Sequence, residues 1–445
     1  MSFRKHPHYK CTRLSMTEEV PSHWTVTKLA HRAEVQLGKM LDAARISGHH
    51  LRPYLRNVDV QWDRIKVTDL PMMDFDEDDR QKFALRPGDL LVCEGGEIGR
   101  VAVWDGELQE CYYQKALHRV RPKRGDDPRF LYWSITAAAK TGVFSERANQ
   151  TTIEHLPAEK LRAHLFCFPP QAEQRTIANF LDRETTKIDA LITKQEELVE
   201  RIKEKRNVEI DTAVTKGLNP VTPRKKTETT WFGEIPVHWN IKRLKHVASG
   251  ITVGIVVTPS KYYVEAGIPA LRSLNVLAMN VSRENLVFVG EEFSEVLAKS
   301  TLRAGDLVSV RTGQPGTTAV IGSDLDGANC IDLIITRRSK LFHSQYLAYV
   351  MNSDLARAQY TAGSEGAIQQ HFNVETASNL IVPYPPLEEQ AAIAEHLDGL
   401  MSRFDQLTNC CLEAIDRLRE HRTALITAAV TGQIDVARQM AEAAE

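Results

Sequence analysis

The chain has 445 residues, 42% of them hydrophobic and 26% charged, which is enough for more than one core. A formal net charge of −2 does not mark it as a nucleic-acid binder, and no apolar run reaches the roughly 18 residues a bilayer span needs. The start of the chain has no apolar signal region, and seven cysteines with no CxxC pair fit a reduced chain in the cytoplasm.

Residues 1–19 read as a polar arm with Arg4, Lys5, Lys10 and Arg13 and almost no compensating acid. A mixed domain follows over 20–168. Within it Trp24 to about Leu41 reads as partly helical, and Pro53 to Val60, Leu90 to Cys93 and Val101 to Trp104 as strands. Arg129 to Ala139 reads as a helix with Phe130, Leu131, Trp133 and Ile135 on its apolar face. Pro87-Gly88-Asp89 and Glu94-Gly95-Gly96 are turns, and Asp74 to Asp79 is acidic.

Residues 169–216 have a different pattern. Pro169-Pro170-Gln171-Ala172-Glu173-Gln174 opens a stretch free of proline and glycine until Gly217. Apolar residues recur at spacings of four and three, at Ile177, Leu181, Ile188, Leu191, Leu198 and Ile202, with Glu184 and Gln195 filling two polar seam positions. So narrow a stripe is that of a coiled-coil helix, about 66 Å long, which needs a partner to stay folded. Residues 217–234, with Pro220 and Pro223, read as a linker.

The second half repeats the first. A domain over 235–384 carries strands at Ala270 to Val276, Leu307 to Val310 and Thr318 to Ile321 and a helix at Ser344 to Met351. Pro385-Pro386-Leu387-Glu388-Glu389-Gln390 opens a second spacer helix over 385–432. Its seam of Ile393, Leu397, Leu400, Phe404, Leu407, Cys411, Ala414 and Leu418 lies 216 residues after the first. Residues 433–445 form a tail in which Asp435 to Glu445 reads as a short amphipathic helix. Further anchors keep the same offset within a residue or so. Val20-Pro-Ser-His-Trp24 returns as Ile235-Pro-Val-His-Trp239, Leu85-Arg-Pro-Gly-Asp-Leu90 as Leu302-Arg-Ala-Gly-Asp-Leu307, and Ala213-Val214-Thr215 as Ala429-Val430-Thr431. This is one large unit copied once.

The search for catalytic chemistry is negative. No GxGxxG or GxxxxGK[ST] phosphate loop sits in a suitable setting, and no HExxH occurs. The Pro-Pro pairs lack the flanking residues of an amino-methylating loop. Asp89 and Glu94 lack the lysine that a nuclease carboxylate pair needs two residues on, where Gly96 stands. The 15 histidines show no ligand spacing, and no metal site is expected. Glycines repeat in one interstrand loop, Gly96 and Gly99 against Gly313 and Gly316. They fit either close approach of the backbone to a phosphate or a tight hairpin without ligand.

The doubled Pro-Pro-x-x-Glu-Gln helix entry, Pro-x-His-Trp opening, Gly-Asp-Leu turn and Ala-Val-Thr close resemble the specificity subunits of type I restriction–modification systems, from about Val20 to Gly432. The resemblance implies an α+β fold, with two duplicated mixed α/β target recognition domains separated by a pair of long antiparallel coiled-coil helices. It implies a non-catalytic subunit in which each domain reads one half of a split double-stranded DNA site and helix length sets the gap. Two DNA methyltransferase subunits and a restriction/translocase subunit are the implied partners, and S-adenosylmethionine, ATP and Mg are expected on those partners. Base-edge reading needs Arg, Lys, Asn and Gln. Candidates are Arg56, Asn57, Arg147, Asn149 and Gln150, then Arg272, Asn275, Arg311, Gln369 and Gln370; each also reads as an ordinary surface or strand-end residue. The alternatives to a DNA reader are a coiled-coil protein-interaction scaffold without DNA preference, and an enzyme whose active site follows no familiar motif.

Overall fold

A computed structural model describes residues 4–40, 48–123, 125–144, 155–256, 262–296, 298–362 and 372–442. The chain forms two compact units, one of Met1–Glu196 with Glu413–Glu445 and one of Glu197–Leu412. The divisions fall inside the two long helices, Gln171–Lys216 and Leu387–Val430. Each unit therefore holds a mixed domain, the first half of that domain's own long helix, and the second half of the other one.

In the first unit four antiparallel strands lie in the order Val101–Val103, Leu90–Cys93, Leu117–Pro122, Ala33–Leu37. A smaller sheet orders Tyr112–Tyr113, Leu51–Leu55 and Met72–Asp74. The helix Pro128–Lys140 begins on a cap, Asp127, whose carboxylate accepts the Phe130 N–H at 2.9 Å. Its residues from Phe130 to Ala138 are buried in one core with Trp24, Ile177, Leu181, Leu425 and Val430.

The second unit repeats the plan. Its sheet orders Thr318–Val320, Leu307–Val310, Leu333–Thr336 and Ile251–Val253. Its helix Ser344–Asn352 is buried with Trp239, Val214, Ile393 and Leu397.

Three local expectations are corrected. Residues 1–19 are no arm: Tyr9–Leu14 and Thr17–Pro21 form a hairpin in which Lys10 faces Val20. Residues 217–234 are no plain linker either, since Arg224–Lys226 pairs with Glu234–Pro236, placing Lys225 opposite Ile235. Both pairs are 215 residues apart, so the two segments are the same element and the repeat begins before Val20. The third correction is Trp24 to Leu41, which is mainly strand, Thr25–Lys28 and Ala33–Leu37 around the single turn Leu29–Arg32. Non-local pairing with Leu165–Phe168 and Leu117–Pro122 overrides the local pattern.

The helices run antiparallel within each unit. In the first, Asp189 pairs with Arg422 and Glu196 with Arg419. In the second, Arg206 pairs with Asp405, and the Gly217 that ends one helix lies beside Glu389 at the start of the other. Asp189 and Arg206 are followed 216 residues later by Asp405 and Arg422, so the pair in one unit is the repeat image of the pair in the other.

The seam expected from sequence is half displaced. Ile177, Leu181, Ile188, Ile202, Ile393, Leu397 and Phe404 are buried, and Leu400 and Leu418 are partly so. Leu191 is 49% exposed, Leu198 43% and Leu407 53%. Counting buried and half-buried positions, the true seam passes through Leu181, Thr185, Ile188, Ile192, Gln195, Val199 and Ile202. Apolar residues are adjacent at 191–192 and 198–199, and one residue is a rotation of about 100° on a helix. Spacing leaves the choice between such neighbours open, and packing made it.

Candidate nucleic-acid interface

After the strand Leu51–Leu55 the chain makes one tight turn, Asn57–Asp59. Asp59 is buried, and its carboxylate accepts the Arg56 N–H at 2.7 Å and the guanidinium at 2.8 and 2.9 Å. This bidentate bond raises the Arg56 pKa and leaves its side chain 40% exposed. Asn57 ties the turn to the glycine loop, donating to the Gly95 carbonyl at 3.0 Å and accepting from Arg100 at 2.8 Å.

The second copy builds the same turn, Ser273–Asn275, with Asn275 in the place of Asp59. The Asn275 side chain accepts the Arg272 N–H at 2.9 Å and donates to the Glu284 carbonyl at 2.8 Å. Asn275 was expected at a base edge, but it is fully buried and holds the turn together. Without a carboxylate at that position, the Arg272 guanidinium donates instead to the Asn285 carbonyl at 2.6 Å. Between these residues each turn carries an exposed apolar tip, Val58 at 63% and Leu274 at 52%.

The glycine loops follow the same logic in both copies. A side chain at Gly99 would come within 2.7 Å of the Phe144 ring, and one at Gly316 within 2.1 Å of Tyr360. These glycines allow the hairpin to pack on aromatic rings, which supports the hairpin reading there. Gly313, at φ +90°, meets nothing within 4 Å.

Arg147, Asn149, Gln150, Gln369 and Gln370 lie outside the described residues. The chain just after them returns to the loop in both copies: the Leu156 N–H donates to the Glu94 carbonyl at 2.7 Å, and the Phe372 N–H to the Arg311 carbonyl at 3.0 Å. Buried His118 secures the first return, its Nε2 donating to the Leu156 carbonyl at 2.7 Å, and burial lowers its pKa. In each copy, then, the turn, the glycine loop and the returning segment meet.

Sequence reasoning missed how the charges are arranged here. The Lys115 N–H donates to the Lys39 carbonyl and the Asp332 N–H to the Ile255 carbonyl, so these are equivalent positions, as are Glu94 and Arg311. The first copy thus carries Glu94 and Lys115 where the second carries Arg311 and Asp332. Arg311 is ion-paired with Asp332. Beside the first loop Lys140 pairs with Glu97 at 2.9 Å and lies 4.0 Å above the Trp62 ring. Neither pairing leaves a signal in spacing.

The structure also accounts for the helix-entry motif. Glu173 accepts the Trp24 indole N–H at 3.0 Å and lies 3.0 Å from His23 Nε2. Glu389 repeats both contacts with Trp239 and His238 at 2.9 Å. Gln174 is fully buried, accepting the Asp127 N–H and donating to the Pro169 carbonyl, each at 2.9 Å. Gln390 does the same for His343 and Pro385.

One framework built twice, with different charges on its loops, defines a protein with paired recognition modules. Residues 21–201 match the family described as the type I restriction modification DNA specificity domain. A putative type I restriction enzyme MjaX specificity subunit from Methanocaldococcus jannaschii is 25% identical over 454 residues, covering 98% of this chain and 99% of that protein. The EcoBI specificity subunit from Escherichia coli is 21% identical, covering 78% of this chain and 74% of its own. A solved structure from work on assembly and conformational transition of the type I R-M system superposes with a TM-score of 0.73 at 15% identity, covering 93% of this chain and 99% of that one. The HsdS subunit from Thermoanaerobacter tengcongensis gives 0.53 at 16% identity, covering 93% and 98%. The chain belongs to the type I restriction–modification specificity subunits, the non-catalytic DNA-recognition members of those systems.

Proposed function

We propose that each unit reads one half of a bipartite double-stranded DNA site through its meeting point of turn, glycine loop and returning segment. Arg56, Arg272 and Arg311 are the described residues suited to base-edge or phosphate contact, with Val58 and Leu274 as apolar contacts to thymine methyl groups. Asn57 serves mainly to hold the first loop in place. Arg147, Asn149, Gln150, Gln369 and Gln370 are assigned to the same surface. The observation that carries this reading is the exchange of Glu94 and Lys115 for Arg311 and Asp332 on one shared framework. Two readers that differ in polarity at equivalent positions select different base sequences.

In this reading the long helices set the gap between half-sites and dock two DNA methyltransferase subunits, and a restriction/translocase subunit completes the assembly. S-adenosylmethionine, ATP and Mg2+ belong to those partners, and the assembly works in the cytoplasm. No helix among the described residues is long and apolar enough to cross a membrane.

The test replaces residues 25–165 by the equivalent domain of a relative and sequences the sites methylated by the complex with its methyltransferase subunits. One half-site changes and the other stays. A change in both halves, or in neither, overturns the proposal. DNA binding by the complex also weakens steeply as salt rises; assembly with the partners but no DNA preference would favour the scaffold reading.

A further inference from the structure

One group of potential metal ligands comes together among the described residues: His6, His23 and Glu173, one ligand atom from each lying within 4.8 Å of the others. His23 Nε2 is 3.0 Å from one Glu173 oxygen, and His6 Nε2 is 3.8 Å from the other. With bonds of about 2.0–2.2 Å, a tetrahedral ion holds its ligands roughly 3.3 Å apart, and the two distances lie on either side of that value. His6 is 8% exposed, and its Nε2 has no hydrogen-bond partner although it faces a carboxylate. That is an orphaned buried polar atom, which native structures rarely keep.

The second unit serves as an internal control. There His238, Trp239 and Glu389 make the same contacts as His23, Trp24 and Glu173. In the register of the two hairpins the counterpart of His6 is Val221, which is 82% exposed. Joining the helix entry to the Pro-x-His-Trp turn therefore does not require His6. The Asp435 carboxylate lies 3.8 Å from His6 Nδ1, on the other side of the ring. A carboxylate there orients a metal-ligating imidazole and fixes its tautomer. Glu173 keeps its bond from the Trp24 indole, since each carboxylate oxygen has a second lone pair.

We propose that His6, His23 and Glu173 bind one divalent transition-metal ion of the zinc class, with Asp435 orienting His6 and water in the fourth position. The half-exposed ring of His23 gives the ion a path in from solvent. Two imidazoles and one carboxylate suit Zn2+ and its neighbours rather than Mg2+ or Ca2+, which prefer oxygen ligands. The ion clamps the N-terminal hairpin to the start of the first long helix. The site belongs to the first unit alone.

The test uses the untagged full chain, stripped with chelator and then dialysed against Zn2+. Wild type retains one zinc per chain and melts at a higher temperature with zinc than without. His6→Gln and His23→Gln lose the retained zinc and the shift, and His238→Gln keeps both. Cobalt in place of zinc gives tetrahedral visible bands in wild type that His6→Gln lacks. Asp435→Asn, which keeps all three ligands, retains zinc more weakly than wild type. Equal melting of wild type and His6→Gln in chelator shows that the variant folds. No retained zinc in wild type, or equal retention in His6→Gln, overturns the proposal.

Discussion

Trp24 and Glu173 are 149 residues apart in sequence and joined by one hydrogen bond of 3.0 Å, and Trp239 and Glu389 repeat that bond at 2.9 Å. Each indole is fully buried, so its N–H depends on the carboxylate alone. Glu389→Ala removes the acceptor and leaves a buried donor unpaired, at a cost of about 1–3 kcal/mol. Glu389→Gln keeps an acceptor oxygen and loses less. Urea unfolding followed by tryptophan fluorescence separates the two variants, and equal midpoints would refute this role.

The helix seam gives a paired prediction. Ile188 is 7% exposed within the first core, whereas Leu191 is 49% exposed. Ile188→Asp places a charge in apolar packing and costs several kcal/mol, about 3 or more. Leu191→Asp changes stability by no more than about 0.5 kcal/mol. Thermal melts of the two variants, compared with wild type, decide between this seam and one passing through Leu191.

Two buried titrating groups make stability depend on pH in opposite directions. Burial, followed by the nearby Lys160, lowers His164 from 6.5 to about 4, and its ring sits between Phe144 and Phe166. The unfolded chain then takes up the proton first, so the contribution is complete above pH 6.5 and is lost as pH falls toward 4. Burial, followed by the Asp354 charge, raises Asp211 from 3.8 to about 6. Its contribution is complete below pH 3.8 and is lost as pH rises through 6. Melting curves at pH 7 and pH 5 should show a shallower acid loss in His164→Gln. Asp211→Asn should stabilise the chain at pH 7 and have little effect below pH 4.

Several parts of the site were legible beforehand because they are local. The Gly-Asp-Leu turn, the strands at Leu90–Cys93 and Leu307–Val310 and the helix Pro128–Lys140 follow from turn residues, short apolar runs and a capping aspartate. Asn275 was misread because an asparagine at a strand end looks the same in sequence whether it faces solvent or caps a turn. The metal-type cluster was invisible because His6, His23 and Glu173 have no helical or hairpin spacing. A hairpin and a helix start bring them together.

The sequence alone determined the duplication, the two long helices and the family, since a constant offset and a 4,3 apolar period are properties of order along a chain. Tertiary structure decided which of two adjacent apolar residues enters the seam and whether the polar end segments become hairpins. It also decided which arginines are tied up by carboxylates. Each of those outcomes depends on a partner many residues away, and the distance to that partner is fixed only when the cores close.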